Sequence, residues 1–129
     1  MIKAYFGIKF HSDNKNRKLI DDISKILKEI EIETICITRD IEKWGKNSFT
    51  PDELMKKTFQ IIDSCDIVII ELTEKGVGLG IEAGYAYAKG KPVFTVANKK
   101  SEISTTLKGI SKSVSARLNQ SPVPPIRRR

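Results

Sequence analysis

Apolar residues recur along this chain in two rhythms, short β-branched or aromatic runs alternating with stretches in which they return every three or four positions. Ile2 to Ile8 (IKAYFGI) predicts a first strand ending near Gly7. The polar segment Lys9 to Asn16 follows as a loop, with Ser12 and Asp13 as candidate helix caps. Leu19, Ile20, Ile23, Ile26, Leu27 and Ile30 then fall at helical spacing, which predicts a core-facing helix to about Glu31. Glu33 to Thr38 (ETICIT) is expected to be the second strand. Arg39 to Phe49 is expected to be an irregular loop, with Trp44 read first as its hydrophobic plug and second as a base-stacking or site-covering residue. Thr50-Pro51-Asp52-Glu53 combines an N-cap, a proline at the first helical position and two acids in the first turn, so a helix should run from there to about Ser64.

The centre of the chain is Asp66 to Val96, DIVIIELTEKGVGLGIEAGYAYAKGKPVFTV. An apolar run (Ile67 to Ile70), a turn punctuated by Gly76, Gly78 and Gly80, a stretch of small residues and tyrosines, and a second apolar run (Pro92 to Val96) predict one βαβ unit. Its loop lies at the carboxyl end of a strand, where open parallel sheets place ligands. Glycines there let backbone come close to a ligand, and free N–H groups at the helix start face an anion. Glu82 is expected in the first turn of the helix, where the dipole keeps a carboxylate ionised, a state that suits a nucleophile; the competing reading is a carboxylate that only decorates a helix start. Asn98 to Ser101 is expected to be a loop and Ile103 to about Ser113 a short helix containing Ser104, Thr105 and Thr106. The order predicts an α/β fold, a doubly wound parallel sheet of four or five strands. Residues 1–115 form the expected domain and residues 116–129 a flexible Pro/Arg-rich tail.

Composition narrows the function classes. A chain of 129 residues builds one domain. No stretch reaches the length of a membrane span, Met1 to Lys9 lacks the apolar segment of a signal peptide, and Cys36 and Cys65 are too few for a disulfide framework, so the expected compartment is the cytoplasm. No Cys/His spacing resembles a metal site, and no metal or cofactor is expected. The formal charge is +7, but Arg127, Arg128 and Arg129 supply three of those charges, leaving +4. With no basic helix, aromatic platform or recognised motif, a nucleic-acid polymer is not the expected partner, and a phosphate-bearing small molecule accounts for the charge.

Gly78-Leu79-Gly80-Ile81-Glu82-Ala83 fits the GxGxxA dinucleotide pattern. That fingerprint, however, belongs to the first βα turn with an acid at the end of the next strand, whereas here it follows the third strand and the next one ends in Ala97-Asn98. A Walker loop and a serine nucleophile elbow are both missing. Instead GVGLGIEAGYAYAKGKPV, preceded by SCDIVIIELTE and by an opening KAYFG, resembles the nucleoside 2-deoxyribosyltransferase superfamily, which includes the deoxyribonucleoside 5'-monophosphate N-glycosidases. The resemblance covers roughly residues 3 to 112. It implies a flavodoxin-like (Rossmann-like) fold with helices on both faces of the sheet, a homodimer with composite sites, and cleavage of a bond between sugar C1' and base.

Carried over by position, the resemblance implies Glu82 as the nucleophile that forms a glycosyl ester, resolved by water in a hydrolase and by a second base in a transferase. It implies Tyr5 as the residue that holds that carboxylate, with Gly7 beside it on the opening strand. Gly78 and Gly80 would line sugar or phosphate, and Ser104 would reach the phosphate of the neighbouring subunit's substrate. Three positions depart from the pattern. Gly76 stands where the transferases of free nucleosides have an aspartate and the monophosphate hydrolases a serine. Thr58 stands where an aspartate often contacts substrate and assists departure of the base, so that task falls to Asp52, Glu53 or water. The first loop has Lys9, Phe10, His11 and Ser12 in place of a Ser, Arg and Gly cluster, and Lys9 would supply the cation for a phosphate. The expected activity is hydrolysis of nucleoside 5'-monophosphates to free base and sugar phosphate. The alternatives are base exchange between deoxynucleosides and a non-catalytic module that binds a nucleotide or a nucleotide-derived signal.

Overall fold

A computed structural model of the protein describes residues 1–117. Five strands, β1 (Ile2–Ile8), β2 (Ile32–Ile35), β3 (Ile67–Glu71), β4 (Val93–Asn98) and β5 (Ser113–Arg117), alternate with four helices, α1 (Arg17–Glu29), α2 (Pro51–Ser64), α3 (Val77–Ala88) and α4 (Thr105–Ile110). All neighbouring strands are parallel, in the order β2-β1-β3-β4-β5. This is the doubly wound, flavodoxin-like arrangement. Chain direction reverses across the sheet between β1 and β3, so the loops leaving those two strands diverge and open a crevice at their carboxyl ends.

Side-chain alternation along β1 and β3 divides the core into two layers. Tyr5, Val68 and Ile70 join Ile62 of α2 and Leu79, Ala83 and Ala86 of α3 in one layer, where Leu107 of α4 also packs. Ala4, Phe6 and Ile69 join Ile20, Ile23 and Leu27 of α1 in the other. Helices therefore lie on both faces, as a parallel sheet buried on both sides requires. The central strand β3 is apolar at every position but its last, Glu71.

The start of α2 matches its sequence signature: Thr50 Oγ1 accepts from the Glu53 amide, the Glu53 side chain accepts from the Thr50 amide, and Pro51 opens the helix. Other boundaries differ for local reasons. α1 starts after Asn16 and not at Ser12 or Asp13, because Asn16 donates its side-chain amide to Lys9 O while Asp13 accepts from Lys15 N. β2 stops at Ile35 and not at Thr38. There the Asp40 carboxylate accepts from Cys36 N, Arg39 binds Thr34 O and Asp40, and Ile37–Ile41 coil into one π-helical turn. Trp44 takes φ 59°, ψ 34°, packs on the α1 layer and carries the Arg17 guanidinium 4.7 Å above its ring, which is the plug role. β5 extends through Arg117, so Ala116 and Arg117, assigned from sequence to the tail, continue the sheet; residues 118–129 lie outside the described residues.

Candidate active site

Two strands and one helix converge on a carboxylate. Tyr5 and Gly7 stand two apart on β1 and share the face that α3 covers, while Glu82 reaches back from α3 toward them. A Cβ built on Gly7 would stand 2.8 Å from Glu82 Oε1 and 3.0 Å from Ile70 Cδ1, so only glycine at this position leaves room for the acid. Glu82 Oε2 lies on the Gly78 side, 4.0 Å from where a Cβ on that glycine would be. Glu82 Oε1 is buried and has no hydrogen-bond partner. The Tyr5 phenol is close enough to the Glu82 carboxylate for each group to affect the other's titration.

That setting decides the acid's chemistry. Glu82 is the sixth residue of α3, in its second turn, and the dipole of a helix acts within the first. The expectation of a carboxylate kept ionised by the helix start is therefore corrected: burial dominates and raises its pKa to about 7, with Tyr5 pulling the other way. Burial, then the charge of Glu82, holds the Tyr5 phenol well above its usual pKa, so Tyr5 is a neutral O–H group. A carboxyl that titrates near neutrality beside a neutral phenol can attack as the anion or pass a proton.

The loops after β1 and β3 form the mouth. Lys9 lies across Gly76: a Cβ there would meet Lys9 Cδ at 3.2 Å and Nζ at 3.5 Å. Gly76 has φ −158°, a conformation open to any residue, so its value is the space it leaves for the lysine stem. His11 Nε2 and Glu74 Oε1 meet at 2.8 Å and tie the two loops together, with Lys15 4.0 Å from the same carboxylate. This latch lowers the Glu74 pKa, chiefly through the His11 contact.

Tyr5, Gly7, Lys9, Gly76, Gly78 and Glu82 are thus brought together at the crevice. The remaining expected residues are placed differently. Thr58 is buried in α2 and donates its hydroxyl to Leu54 O, one turn back. Gly80 is exposed on α3 with nothing within 4 Å of a Cβ. Ser104 caps the start of α4, its hydroxyl 3.3 Å from Thr106 Oγ1. Among the described residues no group of three or more His, Cys, Asp or Glu could hold a metal, and no helix is long and apolar enough to cross a membrane. Sequence reasoning overlooked the His11–Glu74 tie, which carries no local signal, and Glu71, whose signal was visible as one acid on the core-facing rhythm of an apolar strand.

A flavodoxin-like sheet with a buried carboxylate at its topological switch point is the arrangement of a small α/β protein whose ligand site lies at the carboxyl ends of its strands. The family model for nucleoside 2-deoxyribosyltransferase matches residues 4–119, and the chain belongs to that family. It is an enzyme of nucleoside glycosyl transfer or hydrolysis, an N-glycosidase or a deoxyribosyltransferase. A relative from Thermofilum pendens, named "Putative 2'-deoxynucleoside 5'-phosphate N-hydrolase 1", is 23% identical over 120 residues, spanning 85% of this chain and 79% of that protein. The fold is shared with a 2-deoxyribosyltransferase from Bacillus psychrosaccharolyticus (TM-score 0.72, 15% identity, 97% and 99% of the two chains). It is shared also with a CMP N-glycosidase from Clostridium botulinum (TM-score 0.59, 22% identity, 92% and 90%).

Proposed function

We propose that this enzyme hydrolyses the N-glycosidic bond of (deoxy)ribonucleoside 5'-monophosphates, releasing free base and sugar phosphate, with Glu82 as nucleophile. The observation that carries the reading is the buried Glu82 Oε1 with no partner, seated in the crevice against Gly7 and Tyr5. An oxygen left unsatisfied in the free protein loses nothing when it forms a bond to C1'. In the first step the ionised carboxylate attacks C1' as the C1'–N bond breaks, giving a glycosyl ester and free base; in the second, water attacks C1', releases sugar phosphate and returns the carboxylate. Tyr5 positions the acid. Because Thr58 is turned onto its own helix, the base takes its proton from water or from an acid at the mouth.

Lys9 and Gly76 support a 5'-phosphate substrate. The absence of an acid at position 76 removes repulsion toward phosphate, and the lysine laid across it supplies a cation. Gly78 exposes backbone in the first turn of α3, where free N–H groups favour an anion. The relative from Thermofilum pendens bears a name of the same substrate class.

In the same reading the enzyme is a cytoplasmic homodimer. α3 is apolar on its outer side too, with Val77 84%, Ile81 47% and Tyr87 59% exposed, and a helix apolar all round is one that becomes covered. A second copy seated there would bring Ser104 of one subunit toward the substrate of the other. The two cysteines, Cys36 and Cys65, are free and buried, which suits a reducing compartment. Base exchange remains the second reading, favoured by the fold shared with the Bacillus psychrosaccharolyticus enzyme. Chromatography of ribo- and deoxyribonucleoside monophosphates and free nucleosides, incubated with the wild type and with Glu82→Ala, decides. Base release from monophosphates that vanishes in the variant supports hydrolysis, release only when an acceptor base is present supports exchange, and no release under either condition leaves a binding module.

A further inference from the structure

Glu71 is a carboxylate that the proposed chemistry does not use. It ends β3, pairs in register with Ile8 and Val96, and is 1% exposed. By alternation it shares the face of Ile69, the α1 side of the sheet, opposite the side on which Glu82 meets Gly7. Leucine or valine would fill such a site without the cost of taking an acid out of water.

Its oxygens have a specific task. Oε1 accepts from Thr73 N at 2.8 Å and Oε2 accepts from Thr73 Oγ1 at 2.7 Å, so the acid grips one residue by backbone and side chain together. With its proton committed to Glu71, Thr73 Oγ1 has lone pairs left, and one accepts from Asn98 N at 2.7 Å. Thr73 O accepts from Ser101 Oγ at 3.3 Å. The segment beyond is itself folded tightly, with Ser101 N donating to Asn98 O at 2.9 Å and Lys100 N to Asn98 Oδ1 at 3.0 Å. One threonine therefore joins the loop that leads from β3 to Gly76 and α3 with the loop that leads from β4 to Ser104 and α4.

We propose that Thr73, gripped by the buried Glu71 carboxylate, is a positioning residue that sets the Gly76 loop of its own site against the Ser104 loop that serves the neighbouring subunit's site, and thereby the phosphate ends of both. Its kinetic consequence rests on the monophosphate reading above; its structural content does not. The hydroxyl is needed twice over, as donor to Glu71 and as acceptor from Asn98, so serine preserves the brace and isosteric valine breaks both bonds.

The experiment compares Thr73→Ser and Thr73→Val in hydrogen exchange of residues 98–104 and in the kinetics of the best monophosphate substrate. In Thr73→Val exchange should rise about tenfold or more, and KM should rise about tenfold with kcat within about threefold, as expected when uniform binding is lost. Thr73→Ser should match the wild type in both. Unchanged exchange in Thr73→Val overturns the brace. Faster exchange with KM unmoved, or with kcat and KM equally affected in Thr73→Ser, reduces Thr73 to a structural residue and overturns the positioning role. If the wild type releases no base, the functional reading fails separately, and binding of the four 2'-deoxynucleoside 5'-monophosphates by calorimetry replaces KM: weaker binding in Thr73→Val alone upholds the role, and equal or absent binding overturns it. Should Thr73→Val not fold, Glu71→Gln takes its place, with faster exchange at 98–104 and a raised KM expected.

Discussion

Replacing Glu82 with glutamine should stabilise the protein, and more so the higher the pH. Glu82 has a pKa of about 7 in the folded chain against 4.5 for the free side chain. Because the folded value is the higher one, the folded state holds a proton between these limits that the unfolded state has released, and wild-type stability falls as pH rises through that window. The loss is about 1 kcal/mol at pH 5 and approaches about 3 kcal/mol at pH 8, taking about 1.4 kcal/mol per pKa unit. Glutamine keeps the shape, carries no charge and removes this penalty. The assay is urea unfolding of both proteins at pH 5 and pH 8, where every other titrating group contributes equally and cancels. The stability gain of Glu82→Gln over wild type should grow by about 2 kcal/mol between the two pH values, within what the amide's own unpaired groups take back. A gain that is flat with pH, or that shrinks as pH rises, would refute burial as the cause of the raised pKa.

Other outcomes follow from the same geometry. Gly7→Ala places a Cβ 2.8 Å from Glu82 Oε1 and should lower kcat at least about a hundredfold while costing about 1–3 kcal/mol of stability, checked by kinetics and denaturation together. Base release should rise with pH through about 7 as Glu82 ionises, and Tyr5→Phe, which removes the group that lowers this pKa, should move that limb of the pH–rate profile upward. Gly76→Asp crowds Lys9 and adds an acid at the mouth; it should weaken kcat/KM for monophosphates more than for free nucleosides, measured on matched pairs of one base. On the homodimer reading proposed above, Ile81→Asp on the exposed side of α3 should shift the protein from dimer to monomer in analytical ultracentrifugation, with its circular dichroism unchanged and its melting temperature lowered by the stabilisation that association supplied.

The parts of this molecule that could be read from the chain are those in which local chemistry and tertiary demand agree. Thr50-Pro51-Asp52-Glu53 makes the capping box that its spacing spells, and the apolar runs of β1, β3 and β4 are strands because both their faces are buried. β2 is shorter than its β-branched run because Arg39 and Asp40, side chains from beyond the strand, take over its backbone groups. The fifth strand was legible only as an option, since SVSAR is polar and gains its place from pairing with β4. At the site, Tyr5, Gly7, Gly78 and Glu82 were identifiable, but the state of the acid was not. Its position in the second turn and the burial of Oε1 depend on how α3 lies against β1, a distance of more than seventy residues in sequence. Gly76 read as a departure from the aspartate or serine of the family pattern, while in the folded chain it is the space that Lys9 occupies.

The central claim is that Glu82 itself bonds to the sugar, and rapid acid quench during turnover of a deoxyribonucleoside monophosphate, followed by peptide mass spectrometry, addresses it directly. A sugar-phosphate ester should appear on the peptide that contains Glu82 and on no other, within the time of the first turnover. Base released at full rate with no ester on that peptide, or with the ester on a different residue, would contradict the account.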